Sequence, residues 1–293
     1  MEDGHGRATP TWLALREPAD AAARSSELVD ALVDALAGTD TDADLAAAGR
    51  RRERRAPGRR LVVHDLGCGT GSMSRWLAPL LPGPQHWVLL DRDADLLAVA
   101  ATRVPERAAG GAAVTLESHQ RDITRLGPDG LSGSDLVTAS ALLDMLTGAE
   151  LDRFVRSCAA ARCPVLVTLS VVGRVSLEPA DPFDRQVEAA FNAHQRRTVG
   201  GHRLLGPDGA RAAVDAFGRL GFDVLRRPSP WLLEAQDREL VREWFTGWLG
   251  AALEQDPSLV ARAGTYAERR LAEASAGRLA VTVQHEDVLA LPR

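Results

Sequence analysis

Three closely spaced glycines follow an apolar run in the first third of the sequence. Residues 61–66 read LVVHDL, and the turn GCGTG then places Gly67, Gly69 and Gly71 at alternate positions. Glycine lets the backbone turn sharply without a projecting side chain, so a ligand can touch the main chain. A glycine-rich turn between a strand and a helix is typical of nucleotide-binding sites.

The charge beside this turn favours one class of nucleotide. The dinucleotide fingerprint is G-x-G-x-x-G, but here Ser72 stands where the third glycine belongs. Asp65 lies two residues before the first glycine, where its carboxylate would repel a pyrophosphate. It would instead attract the ammonium and sulfonium of S-adenosylmethionine. The carboxylate of that cofactor can approach the N–H groups of the helix that begins near Ser72.

The elements that position the turn alternate along the chain. From residue 61 onward, strand-like runs are separated by helical stretches, in the order LVVHDL, HWVLLD, AAVTLES, SDLVTAS and CPVLVTLSVV, with FDVLRR and RLAVTVQH nearer the end. This alternation predicts right-handed βαβ crossovers. We therefore predict an α/β, Rossmann-like fold with a mostly parallel seven-stranded sheet and helices on both faces.

The pattern also predicts how the chain is divided. Residues 1–60 form an N-terminal helical segment, with helical spacing over 28–36 closed by Gly38, followed by an arginine-rich linker. Residues 61–293 form the main domain. Within it we expect a helical insert at about 174–205 and a helical lid at about 231–275.

At this point the sequence resembles the class I S-adenosylmethionine-dependent methyltransferases. Residues 64–71, HDLGCGTG, match the first motif of that family, and the resemblance extends over about 61–172. It implies that the second strand ends in an acid that holds the ribose hydroxyls, and that an acid and an apolar residue after the third strand meet the adenine. Carried onto this chain, the cofactor contacts are Asp65, Gly67, Cys68, Gly69, Gly71, Asp91, Arg92, Asp122, Ile123, Ser140 and Ala141.

Each of these residues also has a purely structural interpretation. Asp91 could cap a helix, Asp122 could form a turn, and Cys68 fits a small turn residue better than a nucleophile. Four motifs arrive in the family's order after four successive strands, which favours the cofactor site. A nicotinamide oxidoreductase is disfavoured by Asp65 and by Ser72.

Methyl transfer to a hydroxyl or a protonated amine also needs a base. The resemblance places Asp144 beside the methyl group, and His194 and His202 titrate near neutrality. Asp144 could equally cap the next helix, and His194 could simply pack. We predict Asp144 and His194 as catalytic residues.

Acceptor contacts are predicted in the insert and the lid. Arg197 carries a guanidinium suited to a carboxylate or phosphate, although the helix dipole alone could favour it there. Trp231 belongs to a cluster with Trp244 and Trp248 that either packs a core or walls an acceptor pocket. We predict Asp144, Arg197 and Trp231 as substrate-binding residues. Trp12, Arg16 and Arg24 could close over the cofactor, with an arginine reaching its carboxylate.

Composition narrows the functions that remain. The net charge is -5, no lysine occurs, and the three cysteines form no C-x-x-C pair. The net charge disfavours a nucleic-acid partner, and the cysteine pattern favours a cytoplasmic protein. The longest apolar run, around CPVLVTLSVV, is too short to cross a membrane, and we expect no metal because only Asp144 has a positional reason to lie near the methyl group. We predict a methyltransferase acting on oxygen or nitrogen of a small-molecule metabolite, with its oligomeric state left open. The alternatives are a protein or nucleic-acid methyltransferase and a protein that binds S-adenosylmethionine without transferring methyl.

Overall fold

The computed structural model describes residues 8–38 and 59–293. Most of the arginine-rich linker predicted before residue 61 lies outside the described residues. The N-terminal segment contains two helices, α1 (Pro10–Ala23) and α2 (Ser26–Ala37). The Thr9 hydroxyl accepts from the Trp12 N–H at the start of α1, and Gly38 ends α2 in the left-handed conformation.

One sheet organises the rest of the chain. Its strands are β1 (Leu61–Leu66), β2 (Gln85–Asp91), β3 (Val114–Gln120), β4 (Leu136–Ser140), β5 (Val165–Glu178), β8 (Phe222–Pro228), β9 (Trp231–Leu233) and β10 (Ala280–Pro292). The strand order is β3-β2-β1-β4-β5-β10-β8. The first five strands run parallel, and β10 runs antiparallel to both β5 and β8. The mostly parallel Rossmann-like fold is confirmed, with one short extra strand, β9, that pairs with β10.

Helices cover both faces of the sheet. They are α3 (Ser72–Leu77), α4 (Ala94–Ala101), α5 (Gly148–Ala161), α6 (Asp184–Gln195), α7 (Gly209–Arg219), α8 (Arg238–Gln255) and α9 (Val260–Ser275). One core lies under α5 and α7, and another lies under α2, α3 and α4. The predicted helical lid at about 231–275 contains two long helices, because the chain leaves helical geometry at Asp256, before Pro257.

A third core joins the predicted insert to the predicted lid. Helices α6, α8 and α9 pack against β9 and the adjoining parts of β5 and β10, around buried aromatic residues that include Phe183, Trp231, Phe245, Trp248 and Tyr266. Side chains of α1 pack against the edge of this core. A short hairpin, β6 (Thr198–Val199) and β7 (His202–Arg203), follows α6. Across residues 8–38 and 59–293, no helix is both long and apolar enough to cross a membrane.

Candidate active site

A cavity of about 860 Å³ opens at the carboxyl ends of β1, β2 and β4 and continues beneath α1, α8 and β9. In open α/β sheets this edge is where ligands bind. The predicted cofactor residues that line it are Asp65, Gly67, Cys68, Gly69, Asp91, Arg92, Asp122, Ile123, Ser140 and Ala141. Asp144 and Trp231 line it too. Gly71, His194 and Arg197 are not part of its lining.

Leucine side chains from other parts of the chain pack closely against the glycine turn. Gly67 and Gly69 have φ values of +66° and +54°. A Cβ at Gly67 would lie 3.3 Å from a methyl of Leu142, and one at Gly69 would lie 3.2 Å from a methyl of Leu13. Both the backbone conformation and the close approach therefore require glycine. Gly71 instead serves as the N-cap of α3.

Helix α1 lies across this turn and is tied to α3. Glu17 accepts two hydrogen bonds from the Arg75 guanidinium, at 2.5 and 2.6 Å. These bonds hold the pKa of Glu17 below its usual value. Arg24, which is 5% exposed, donates to the hydroxyls of Ser72 and Ser140 at 3.1 and 3.2 Å. The N-terminal segment thus contributes a wall of the cavity.

Asp65 is a buried acid with one free oxygen. It is 1% exposed at the end of β1, where Oδ1 accepts from the Thr138 hydroxyl at 2.8 Å and Oδ2 has no hydrogen-bond partner. Burial raises its pKa to about 7, against the opposing effects of Thr138 and the Arg24 charge. A buried carboxylate in this state gains from a cation that supplies the missing hydrogen bond.

Asp91 connects the end of β2 to the glycine turn. Its Oδ2 accepts from the Gly69 N–H at 2.8 Å and its Oδ1 from the Asp93 N–H at 2.9 Å. The N-cap of α4 is Asp93, so capping a helix is not the role of Asp91. Each Asp91 oxygen keeps a lone pair for a further donor.

Asp122 follows β3 and forms a turn, which is the structural role that the sequence analysis gives as the alternative to cofactor binding. Its Oδ1 accepts from the N–H and the hydroxyl of Thr124, at 3.0 and 2.7 Å. The residue is exposed at its end of the cavity, beside Ile123. Turn formation and contact with a ligand are compatible here, because a carboxylate accepts several hydrogen bonds.

Asp144 lies just beyond β4, on the short turn Leu143–Met145. Burial raises its pKa to about 6, while its own backbone N–H and the charges of Arg16 and Arg197 oppose the shift. Asp144 does not cap the next helix, because Thr147 and Glu150 form the capping box of α5. Ala141, at the end of the same strand, has a φ of 50°, a strained conformation for a residue with a Cβ.

The far end of the cavity is aromatic. Trp12, Trp231 and Trp244 line it with Phe191, and Trp244 stacks on the buried Trp248 with ring centroids 5.2 Å apart. Core packing and lining of an acceptor pocket, the two interpretations of the tryptophan cluster, therefore apply to different residues. Trp248 packs the third core, whereas Trp231 and Trp244 also face the cavity.

Two functional candidates at this end carried no signal in the sequence. His285 on β10 is 4% exposed and lines the cavity, and burial followed by the Arg16 charge lowers its pKa to about 3. Asp20 lines it as well and accepts from the Trp231 indole N–H at 3.0 Å. Both residues arrive through tertiary packing, and no local motif surrounds either of them.

His194 and Arg197 make their contacts outside the cavity lining. The Nε2 of His194 lies 3.3 Å from a carboxylate oxygen of Glu254 on α8, and burial lowers the pKa of the imidazole. Arg197 donates to the His194 carbonyl at 3.2 Å, although its charge still influences Asp144. His202, on β7, does line the cavity and is exposed.

Cysteine and metal chemistry receive no support from the described parts of the chain. Burial raises the pKa of the Cys68 thiol, and all three cysteines are buried. Among residues 8–38 and 59–293, no cluster of three or more His, Cys, Asp or Glu side chains could hold a metal ion.

Comparison with solved structures returned methyltransferases at low identity. Magnesium protoporphyrin IX methyltransferase from Synechocystis PCC 6803 with bound SAH is 18% identical, with 78% of this chain and 83% of that chain covered and a TM-score of 0.41. A SAM-dependent methyltransferase from Geobacter sulfurreducens is 17% identical, with 97% and 99% covered and a TM-score of 0.41. Phosphoethanolamine N-methyltransferase 2 from Haemonchus contortus is 16% identical, with 92% and 53% covered and a TM-score of 0.41. Likeness at this level does not extend to the acceptor of any of them.

One family model matches part of the sequence. No curated protein matches it significantly. Residues 63–164, which run from β1 to the start of β5, match the family described as "Methyltransferase domain". That segment contains the glycine turn, Asp65, Asp91 and Asp144. The match therefore covers the segment that forms the cofactor end of the cavity, as the resemblance in the sequence predicts.

Proposed function

We propose that this protein is a class I S-adenosylmethionine-dependent methyltransferase that acts on oxygen or nitrogen of a small-molecule metabolite. The observation that carries this proposal is the aromatic chamber that continues the cofactor end of the cavity past Asp144, walled by Trp12, Trp231 and Trp244. Small molecules bind in concave, mostly apolar sites of about 300–1,000 Å³ that carry a few polar groups. The walls come from α1, β9 and α8, so the acceptor site is built into the fold.

The described residues fit S-adenosylmethionine. The free Oδ2 of Asp65 suits its ammonium, and the spare lone pairs of Asp91 suit two ribose hydroxyls. Asp122, Ile123 and Arg92 line the end of the cavity next to Asp91, where we place the adenine. Bound S-adenosylmethionine supplies an activated methyl group, so the chain has to orient the acceptor and accept its proton.

Asp144 is the base in this proposal. A pKa of about 6 leaves its carboxylate ionised at neutral pH and close to the value that favours general-base catalysis. Asp144 follows β4 and lines the same cavity as Asp65 and the chamber tryptophans. We assign no role to His194, because its imidazole pairs with Glu254 outside the cavity.

Two measurements test the proposal. Calorimetric titration with S-adenosylhomocysteine should show binding, weakened in Asp65→Asn and unchanged in Asp215→Asn, an exposed acid on α7. Incubation with methyl-labelled S-adenosylmethionine and a cell extract separated by mass should then label the low-mass fraction. Label confined to protein or RNA would refute the small-molecule acceptor. Cofactor binding without any labelled product would refute methyl transfer.

A further inference from the structure

The aromatic end of the cavity already contains a cation. The Arg16 guanidinium lies 4.9 Å from the ring centroid of Trp231 and 6.0 Å from that of Trp12. Its Nε and Nη2 donate to the Asp20 carboxylate at 2.9 to 3.2 Å. The Trp231 indole N–H donates to the same carboxylate. Arg16, Asp20 and the two tryptophans thus form one connected group, and all four residues line the cavity.

Arg16 therefore already occupies the aromatic faces and the carboxylate that would otherwise attract an ammonium to this chamber. Cations are drawn to aromatic faces and to carboxylates, and here Trp12, Trp231 and Asp20 already serve the guanidinium. The neighbouring His285 stays neutral at physiological pH, because burial and Arg16 hold its pKa at about 3. A second cation beside Arg16 would meet like charge where little water screens it.

An oxygen acceptor finds the opposite environment. The Nη1 group of Arg16 has no hydrogen bond to any residue in the described parts of the chain, and the Arg16 side chain is 15% exposed. It is therefore available as a donor to an oxygen. The aromatic walls bury a flat apolar body, as Trp and Phe side chains do in binding sites.

We infer that the acceptor, within the proposed function, is an aromatic molecule that presents a neutral or anionic oxygen and no ammonium, and that Arg16 sets this preference. Arg16 acts here as a specificity residue. Asp144 remains the base that receives a hydroxyl proton, and an acceptor that is already anionic has no proton to release.

Binding of three matched probes tests this inference without requiring turnover. Calorimetry would measure the affinities of 2-naphthol, 2-naphthoate and 2-(aminomethyl)naphthalene, each with and without S-adenosylhomocysteine. These probes share one ring system and differ in the charge of the group they carry. We expect wild type to bind the two oxygen probes about tenfold or more tighter than the ammonium, a difference that one unfavourable charge contact readily produces.

Three variants locate the cause of that preference. Arg16→Gln should bring the affinities of the oxygen and ammonium probes to within about threefold of one another, because the charge is gone. Arg16→Lys keeps the charge and should keep the preference, although it loses the planar fork. Arg242→Gln, at an exposed position of α8, is the matched control and should behave as wild type. Melting temperatures establish that each variant is folded.

Several results would overturn the inference. The inference is wrong if wild type binds the ammonium as tightly as the oxygen probes, or binds none of the naphthalenes. It is also wrong if Arg16→Gln keeps the wild-type preference and weakens only the binding of S-adenosylhomocysteine, a result that would assign Arg16 to the carboxylate of the cofactor. Failure of wild type to bind S-adenosylhomocysteine would count against the proposed function instead, and the titrations without it would still report the charge preference.

Discussion

Replacement of Asp65 by asparagine should stabilise the protein without cofactor and weaken its cofactor binding. Asp65 is buried, one of its oxygens has no partner, and its pKa rises from 3.8 to about 7 on folding. Between these two values the unfolded chain has released the proton and the folded chain has kept it. Folding stability therefore falls as the pH rises through this window.

The size of the effect follows from the shift in pKa. About three pKa units at 1.36 kcal/mol each give a penalty of about 4 kcal/mol above pH 7. The penalty shrinks to about 2 kcal/mol near pH 5, where Asp65 in the folded protein is mostly protonated. An asparagine amide is uncharged but still costs about 1–3 kcal/mol to bury with incomplete hydrogen bonding. The net gain for Asp65→Asn near pH 7.5 is then about 1–3 kcal/mol.

Thermal unfolding with and without S-adenosylhomocysteine measures both halves of this prediction. Without ligand, Asp65→Asn should melt higher than wild type near pH 7.5, by about 2–4 °C for each kcal/mol, and the difference should shrink near pH 5. With ligand at about one hundred times its dissociation constant, wild type should gain about 2.7 kcal/mol. The variant should gain little, because it lacks the charge-assisted bond, worth about 2 kcal/mol or thirtyfold in affinity.

Asp215→Asn is the matched control, since it removes an exposed acid from α7. It should change neither the melting temperature nor the response to ligand. The reasoning would be refuted if Asp65→Asn melted below wild type at both pH values, since burial of the ionised acid would then carry no penalty. An unchanged affinity for S-adenosylhomocysteine would separately refute the ammonium contact.

Three further predictions concern the base, the glycine turn and the position of α1. In a methyl-transfer assay with a hydroxyl acceptor, kcat/KM should fall as the pH drops below about 6, because Asp144 becomes protonated. Asp144→Asn should lower kcat/KM by about 10²–10⁴-fold at neutral pH. An unchanged rate in this variant would show that Asp144 is not the base. Gly69→Ala should lower the free energy of unfolding by about 1–2 kcal/mol in denaturant titration, through its positive φ and the contact with Leu13, and a change below 0.5 kcal/mol would contradict the close packing. Glu17→Gln should lower the free energy of unfolding by about 1 kcal/mol near neutral pH, because it loses the charged bonds to Arg75. The difference from wild type should vanish at a pH below the lowered pKa of Glu17, where Glu17 in wild type is also protonated.

The sequence predicted the sheet and the cofactor end of the cavity because their signals are local. A strand, a glycine turn and a helix occupy adjacent residues, so spacing alone places Asp65, Gly67 and Gly69 at the carboxyl end of β1. Asp91 ends the next strand, and Asp122 closely follows the one after it. Parallel strands bring these ends to one edge of the sheet, so the order of the motifs is enough to bring the residues together.

The aromatic end was less predictable because it is assembled from distant parts of the chain. Asp20 contacts Trp231 across 211 positions, and nothing in either local sequence indicates the other. Helical spacing put His194 on a face with Phe191, but spacing does not say what that face meets. In the structure Phe191 lines the cavity, whereas His194 reaches Glu254 on α8. Periodicity identifies the face of a helix, and only tertiary packing identifies its neighbour.

Helix α1 makes the two ends of the cavity depend on each other. Leu13 packs over Gly69 at the cofactor end, and Arg16 meets Trp231 at the acceptor end. Residues three apart share one face of a helix, so a single placement of α1 fixes both contacts. Glu17, the next residue, holds that placement through Arg75 on α3, the helix that the glycine turn begins. A shift of α1 that opened the glycine turn would therefore also move the Arg16 guanidinium away from the tryptophans. The helix that packs over the glycine turn thus also positions the charge that we infer selects the acceptor.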